Sequence, residues 1–206
     1  MPFPDPAVAR WVPEPGAEPP LRDLTVGGLL DEAIAKWPDQ EAIVFSAYDD
    51  LGVAARWTYA ELGERARRVG KALIASGIEP GESFGIWATN LPQWLELQFG
   101  AAYAGVVVIP MNPLYRASEV EFMLAKARAA ACFVLPEDRG MSLWDIAAKA
   151  TVGIPTVRLL VPLGEARDGA PAWEEWLAAG DAIAEDALER RRRAVRSEDT
   201  SQIHVT

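Results

Sequence analysis

One cysteine, one histidine and a shortage of basic residues set the first limits on this 206-residue chain. Cys132 lies in the apolar run Ala131-Cys132-Phe133-Val134-Leu135, so an internal disulfide is excluded and a buried, unreactive thiol is expected. His204 is far from Cys132 and has no nucleophile beside it, so the two cannot build a tetrahedral metal site; no metal ligand is expected, and the histidine reads as structural. Twenty Lys and Arg against thirty Asp and Glu give a formal charge of -10, which works against nonspecific adhesion to phosphate polyanions or anionic lipid. Nucleic acid is therefore not an expected partner.

Long hydrophobic runs are also missing. The longest uncharged apolar stretch, 99–111, is broken by Gly105 and Pro110 and falls short of the ~20 residues a membrane-spanning helix needs. The first twenty residues hold seven of the sixteen prolines and no basic-then-apolar secretion pattern. Residues 1–24 are expected to form an extended arm, and the protein to be cytoplasmic, free or peripheral to a membrane.

Several kinds of chemistry lack their residues. No GxGxxG follows a strand-like segment, which excludes a Rossmann fingerprint. Val69-Gly70-Lys71 looks like the tail of a Walker loop, but the nearest upstream glycine, Gly63, is misplaced and the run sits inside a periodic helix. Acidic residues are spread along polar faces, so no pair stands out as acid and base.

What is present is ordinary globular composition, half apolar and about a quarter charged, arranged as alternating helices and strands. Apolar spacing predicts a helix over 25–37 stopped by Pro38, then a hairpin near 42–57 turning through 48–52. Thr58-Tyr59-Ala60-Glu61 is a capping box opening a helix that buries Leu62, Ala66, Val69 and Leu73, with Glu64, Arg65, Arg67, Arg68 and Lys71 on its wet face, and ends at Gly77. A strand over 83–88 and a helix from Pro92 to Gly105 come next. The β-branched run 106–110 predicts a strand at the centre of the sheet. A second capping box, Ser118 to Glu121, opens a helix before a strand at 131–135.

Beyond Pro136 the signals are a helix at 143–150, a strand at 156–161 and a helix at 172–179. The basic stretch 190–196, flanked by acids, reads as a solvated helix end, and 202–206 as a strand that has just begun. The fold class expected from this alternation is α/β, a mostly parallel sheet flanked by helices on both faces.

Three stretches carry a family likeness: Trp57-Thr58-Tyr59-Ala60-Glu61-Leu62, the segment 85–94 (GIWATNLPQW) and the segment 101–115 (AAYAGVVVIPMNPLY). In this order they resemble the N-terminal part of AMP-forming acyl-CoA synthetases, the adenylate-forming ligases. The segment 135–140 (LPEDRG) is similar to the branch acting on fatty and other carboxylic acids. The segment 199–206 (DTSQIHVT) resembles that family's approach to its phosphate loop SGTTGxPKG, with Thr206 as the loop's first residue.

The resemblance implies that residues 25–206 are a partial adenylate-forming domain, the first subdomain of a larger ligase, truncated before its phosphate loop. It implies a carboxylic acid, ATP, Mg2+ and CoA as reactants of the whole enzyme, with an acyl adenylate between two steps, none of them bound tightly by this chain. No catalytic residue is expected within the chain, and the chain alone is expected to be inactive. Asn112, Tyr115 and Arg139 are candidate CoA contacts by likeness of position at strand ends; the alternative is turn chemistry for Asn112-Pro113 and a surface charge for Arg139. A missing C-terminal portion or a homodimer would complete the protein. The rival function is a binding or scaffold module that pairs with a full-length ligase or a separately encoded C-terminal part.

Overall fold

The computed structural model describes residues 22–46 and 54–204. Most of the expected N-terminal arm, the hairpin turn and Thr206 lie outside the described residues.

Thr25 caps the first helix, α1 (Val26–Lys36), its hydroxyl accepting from the Gly28 amide at 2.9 Å. Strands β1 (Glu41–Phe45) and β2 (Ala55–Thr58) pair antiparallel, as the hairpin expectation required. The capping box at the head of α2 (Tyr59–Ala75) forms in full: the Thr58 hydroxyl accepts from the Glu61 amide at 3.2 Å, and the Glu61 carboxylate accepts from the Thr58 amide at 2.8 Å. Next come β3 (Ser83–Trp87), α3 (Pro92–Ala104), β4 (Val107–Met111), α4 (Ala117–Lys126) and β5 (Ala131–Val134). A short hairpin, β6 (Glu137–Asp138) with β7 (Met141–Ser142), leads into α5 (Leu143–Thr151), β8 (Leu159–Pro162), α6 (Trp173–Ala178), a 3-10 turn over Ala179–Ala182 and α7 (Glu185–Ala194).

Strands β4, β3, β5 and β8 lie side by side in that order, all parallel. Parallel register sorts their side chains onto two faces. Phe84 and Phe133 share one face, where Phe133 meets Trp176 of α6 edge-on at 4.8 Å. Gly85 and Cys132 share the other, where a Cβ on Gly85 would lie 2.7 Å from Leu124 of α4. Both faces are thus covered by helices, which is why every residue of β3 and β5 is buried.

The run 106–110 forms a strand but not the central one; among the described strands β4 is the edge, and β3 occupies the middle. Both positions are buried on two faces here, so β-branched composition cannot separate them. Pro110 marks the difference. The Val107 amide donates inward to Glu82 O at 2.8 Å and the Val108 amide outward to Ser201 O at 3.0 Å, so the missing N–H of Pro110 falls on the outer side, where it costs β3 nothing. The segment 201–203 lies along that side: Ile203 donates to Val108 O at 2.9 Å, and where a late strand was expected the described residues form a single parallel bridge, Gln202 to Val108.

Three further expectations need correcting. Helix α4 begins at Ala117, not after Ser118, because Glu119 reaches back to the Arg116 amide at 2.7 Å and half a capping box suffices. The strand expected at 156–161 starts at Leu159 and runs through Pro162. The wet face of α2 is only partly free: Glu64 and Arg68 stay exposed, but Arg67 and Arg68 pair at the surface with Glu185 of α7 and Glu174 of α6 at 2.9 and 3.0 Å, and Arg65 lies over the Trp57 ring at 4.1 Å. The later helices that supply these partners are invisible to a local pattern.

Arg65 also faces Glu96 of α3, 3.5 Å away and only 3% exposed. Burial holds the Glu96 carboxyl above its ordinary value, an effect that Arg65 opposes. A carboxyl raised by folding makes stability fall as pH climbs from the unfolded value of about 4.5 through the folded one, because only the unfolded chain ionises freely in that window. Glu96→Gln is therefore expected to raise Tm at pH 7 by roughly 2–4 °C, corresponding to ~1 kcal/mol, with the gain vanishing below pH ~4.5 in paired thermal melts.

Candidate functional site

In open parallel sheets ligands collect at the carboxyl ends of the strands, beside the strand where the order reverses. Here β3 is followed in sequence by β4 on one side and by β5 on the other, so that place is the mouth between β3 and β5. Three connections rim it: 88–91 after β3, 112–116 after β4, and 135–140 after β5.

Asn112 and Tyr115 stand in the second of these. The Asn112 side chain closes a turn, Oδ1 accepting from the Leu114 amide at 2.9 Å, while its carbonyl accepts from the Tyr115 amide at 3.0 Å and from Trp87 Nε1 at 2.8 Å. Tyr115 is half-buried against the core. Arg139 stands in the third connection, exposed, at φ 50°, followed by Gly140 at φ 77°. Two successive positive φ angles are the signature of the two-residue hairpin turn that joins β6 to β7. The fold therefore brings all three residues to one edge of the sheet. Asn112 is already engaged in its turn, which gives weight to the turn alternative for that residue, whereas the Arg139 guanidinium stands exposed on a tight loop.

Sequence reasoning missed two residues at this edge. Thr89 Oγ1 and Gln93 Oε1, in the connection after β3 and the first turn of α3, are buried with no hydrogen-bond partner. Their polarity was visible; their lack of partners was not.

A larger cavity among the described residues lies elsewhere. A groove of about 380 Å³ runs along Pro80, Gly81, Gly105, Val107 and Arg191, at the amino ends of β3 and β4, away from the Asn112 and Arg139 connections. Ala194, Val195, Asp199 and Thr200 line its other side.

Cys132 is fully buried, and burial pushes its thiol up to about 12, far from a reactive thiolate. His204 is exposed, its Nε2 3.0 Å from Gln202 Oε1. Among the described residues no group of three His, Cys, Asp or Glu side chains is placed to hold a metal ion. No described helix is long and apolar enough to cross a membrane.

The sequence pattern of AMP-binding enzymes matches residues 30–204. The chain belongs to the AMP-binding enzyme family. Within that family it is 35% identical over 192 residues to a methyl-dioxo-octahydroindenyl-propanoyl:CoA ligase of Mycobacterium tuberculosis, covering 90% of this chain and 35% of that protein. A mitochondrial medium-chain acyl-CoA ligase, ACSF2 of Danio rerio, is 35% identical over 109 residues, 53% of this chain and 17% of the relative. Among solved structures the anthranilate CoA ligase AuaEII in complex with anthranoyl-AMP superposes with a TM-score of 0.67 at 20% identity, over 76% of this chain and 28% of that one, a likeness of fold. The chain thus spans about a third or less of the length of these relatives. Relatives named as acyl-CoA ligases and an α/β fold with a parallel four-stranded sheet agree with the reading of 57–62, 85–94 and 101–115.

Proposed function

We propose that these residues form part of an ATP-dependent acyl-CoA synthetase, which joins a carboxylic acid to CoA through an acyl adenylate and releases AMP and pyrophosphate. The observation that carries this reading is the family match over 30–204, which takes in the whole parallel sheet. Residues 25–206 would be the first portion of the adenylate-forming domain, 1–24 an arm preceding it, and the protein cytoplasmic.

In this reading the chain supplies a scaffold and a share of the thiol-substrate site, and no reacting group. The carboxyl edge of the sheet presents Arg139, an always-charged planar fork suited to a CoA phosphate, with Tyr115 and the Asn112 turn on the far side of β3. Thr206 would enter the phosphate loop, consistent with the pairing of 201–203 along β4, which carries the backbone toward the same edge. Mg2+ finds no ligand set among the described residues, so no step is assigned to it within this chain.

In the ligase that contains these residues, Arg139→Ala is expected to raise the apparent KM for CoA about tenfold, the loss of one charge-assisted contact. ATP-pyrophosphate exchange, which needs no CoA, should keep its wild-type rate. An unchanged KM for CoA would remove Arg139 from the site, and failure of the wild-type ligase to form acyl-CoA from any carboxylic acid would overturn the function itself.

A further inference from the structure

The basic stretch 190–196 reads in sequence as a solvated helix end, yet two of its members are not solvated. Arg190 and Arg193 do pair on the surface of α7 with Asp186 and Glu189. The side chains of Arg191 and Arg192, by contrast, are only 15% and 19% exposed. Arg192 pairs with Asp31 of α1 and with Glu189 of α7, and its guanidinium lies 4.5 Å over the ring of Tyr103 of α3. Tyr103 is fully buried and donates its hydroxyl to the other oxygen of Asp31 at 2.8 Å. One carboxylate thus joins α1, α3 and α7 in a closed triangle. Arg191 adds a second tie, to the Ile78 carbonyl and to Glu79 at 2.9 Å.

Beyond the triangle the chain is held by a few local ties: the Arg196 amide donates to Asp199 at 2.8 Å, the Ser197 hydroxyl to Asp23, and Ile203 packs against the core. Residues 195–200 cross over α1 and the end of α3 above a cavity of about 90 Å³ lined by Thr25, Ala101, Ala102 and Val195, and beside the larger groove at Gly105. The segment then meets β4 through two backbone bonds, Val108 to Ser201 and Ile203 to Val108. The bond that would come next is lost at Pro110, which has no N–H to donate. Two backbone bonds and one packed side chain leave the lie of 201–204 on β4 dependent on where the chain arrives from.

We propose that the Asp31-Arg192-Tyr103 triangle is a positioning clamp that sets where the 201–204 segment lies on β4, and hence where the chain enters the phosphate loop. The positioning of 201–204 is independent of the proposed function; the consequence for ATP rests on it. Asp31 and Arg192 touch no reactant and act through the strand they place.

The test uses the 206-residue chain and hydrogen exchange resolved by residue. Asp31→Asn keeps the acceptor for Tyr103 and removes the charge facing Arg192; Arg192→Lys keeps the charge and loses the planar fork. Both variants are expected to speed exchange of the Ile203 and Val108 amides about tenfold, while Phe84 and Phe133 amides in the sheet centre exchange at the wild-type rate. Unchanged exchange at Ile203 overturns the clamp. Uniform acceleration through β3 and β5, or loss of the folded state in both variants, also overturns it by giving the cluster to general stability. In the ligase containing these residues the same variants should raise KM for ATP with little change in kcat. If exchange responds and KM does not, the clamp stands and the assignment of the phosphate loop falls.

Discussion

Incubated with ATP, a carboxylic acid and labelled pyrophosphate, the 206-residue chain by itself is expected to give no exchange above background. Forming an acyl adenylate develops charge on the α-phosphate and on departing pyrophosphate, and catalysis of such steps is mostly positioning and neutralisation of that charge. Removing a single oriented donor from a site of this kind costs about 10²–10³ in rate, so a site lacking a whole donor loop falls below detection. The sequence contains no SGTTGxPKG, and its carboxyl edge offers Arg139 and Tyr115 without a phosphate-cradling loop between them. The control is the longer ligase proposed above to contain these residues, which should exchange under the same conditions. Exchange by the 206-residue chain would sink the division of labour proposed for it.

The second large effect concerns the scaffold. Phe133→Ala is expected to destabilise the chain by about 3–5 kcal/mol, lowering Tm by roughly 6–20 °C. Phe133 is fully buried on β5, edge-on to Phe84 at 4.9 Å and to Trp176 at 4.8 Å, with Trp173 at 6.2 Å. Truncation removes the ring that ties α6 to the sheet and leaves a cavity that β3 and β8, backbone-paired on either side, cannot close. Trp176 also donates Nε1 to Ser76 Oγ at 2.9 Å, so α6 is tied to the end of α2 as well and cannot slide inward to fill the gap. Val44→Ala on the hairpin, where Val44 is 53% exposed, should change stability by no more than about 0.5 kcal/mol. Equal effects at the two positions, measured by thermal or urea unfolding, would mean that the aromatic cluster is not where the fold is held.

Residues whose role depends on nearby chain were legible. The Thr58-Glu61 capping box, the α3 helix from Pro92 to its left-handed Gly105 cap, and the β5 run all formed where the sequence put them, because a cap or a turn is decided within a few residues. Family membership was legible for a related reason, since 57–62, 85–94 and 101–115 are contiguous motifs. The site was legible only in part: Asn112, Tyr115 and Arg139 were placed by likeness at strand ends, and the fold does bring them to one edge. The orphaned Thr89 and Gln93 oxygens could not be foreseen, since a missing partner is a property of the packed interior.

The sequence by itself determined the main helices and strands, the α/β class and the family, because capping, periodicity and motif identity are local; the β6–β7 hairpin was not among them. Only the tertiary structure decided that β3, not β4, is central: both are apolar, and Pro110 takes its meaning from the side on which its missing N–H falls. It also decided that two of the five arginines in 190–196 are structural: Arg192 meets Asp31 across 161 positions of chain, and no local pattern encodes a contact whose partner is supplied by folding.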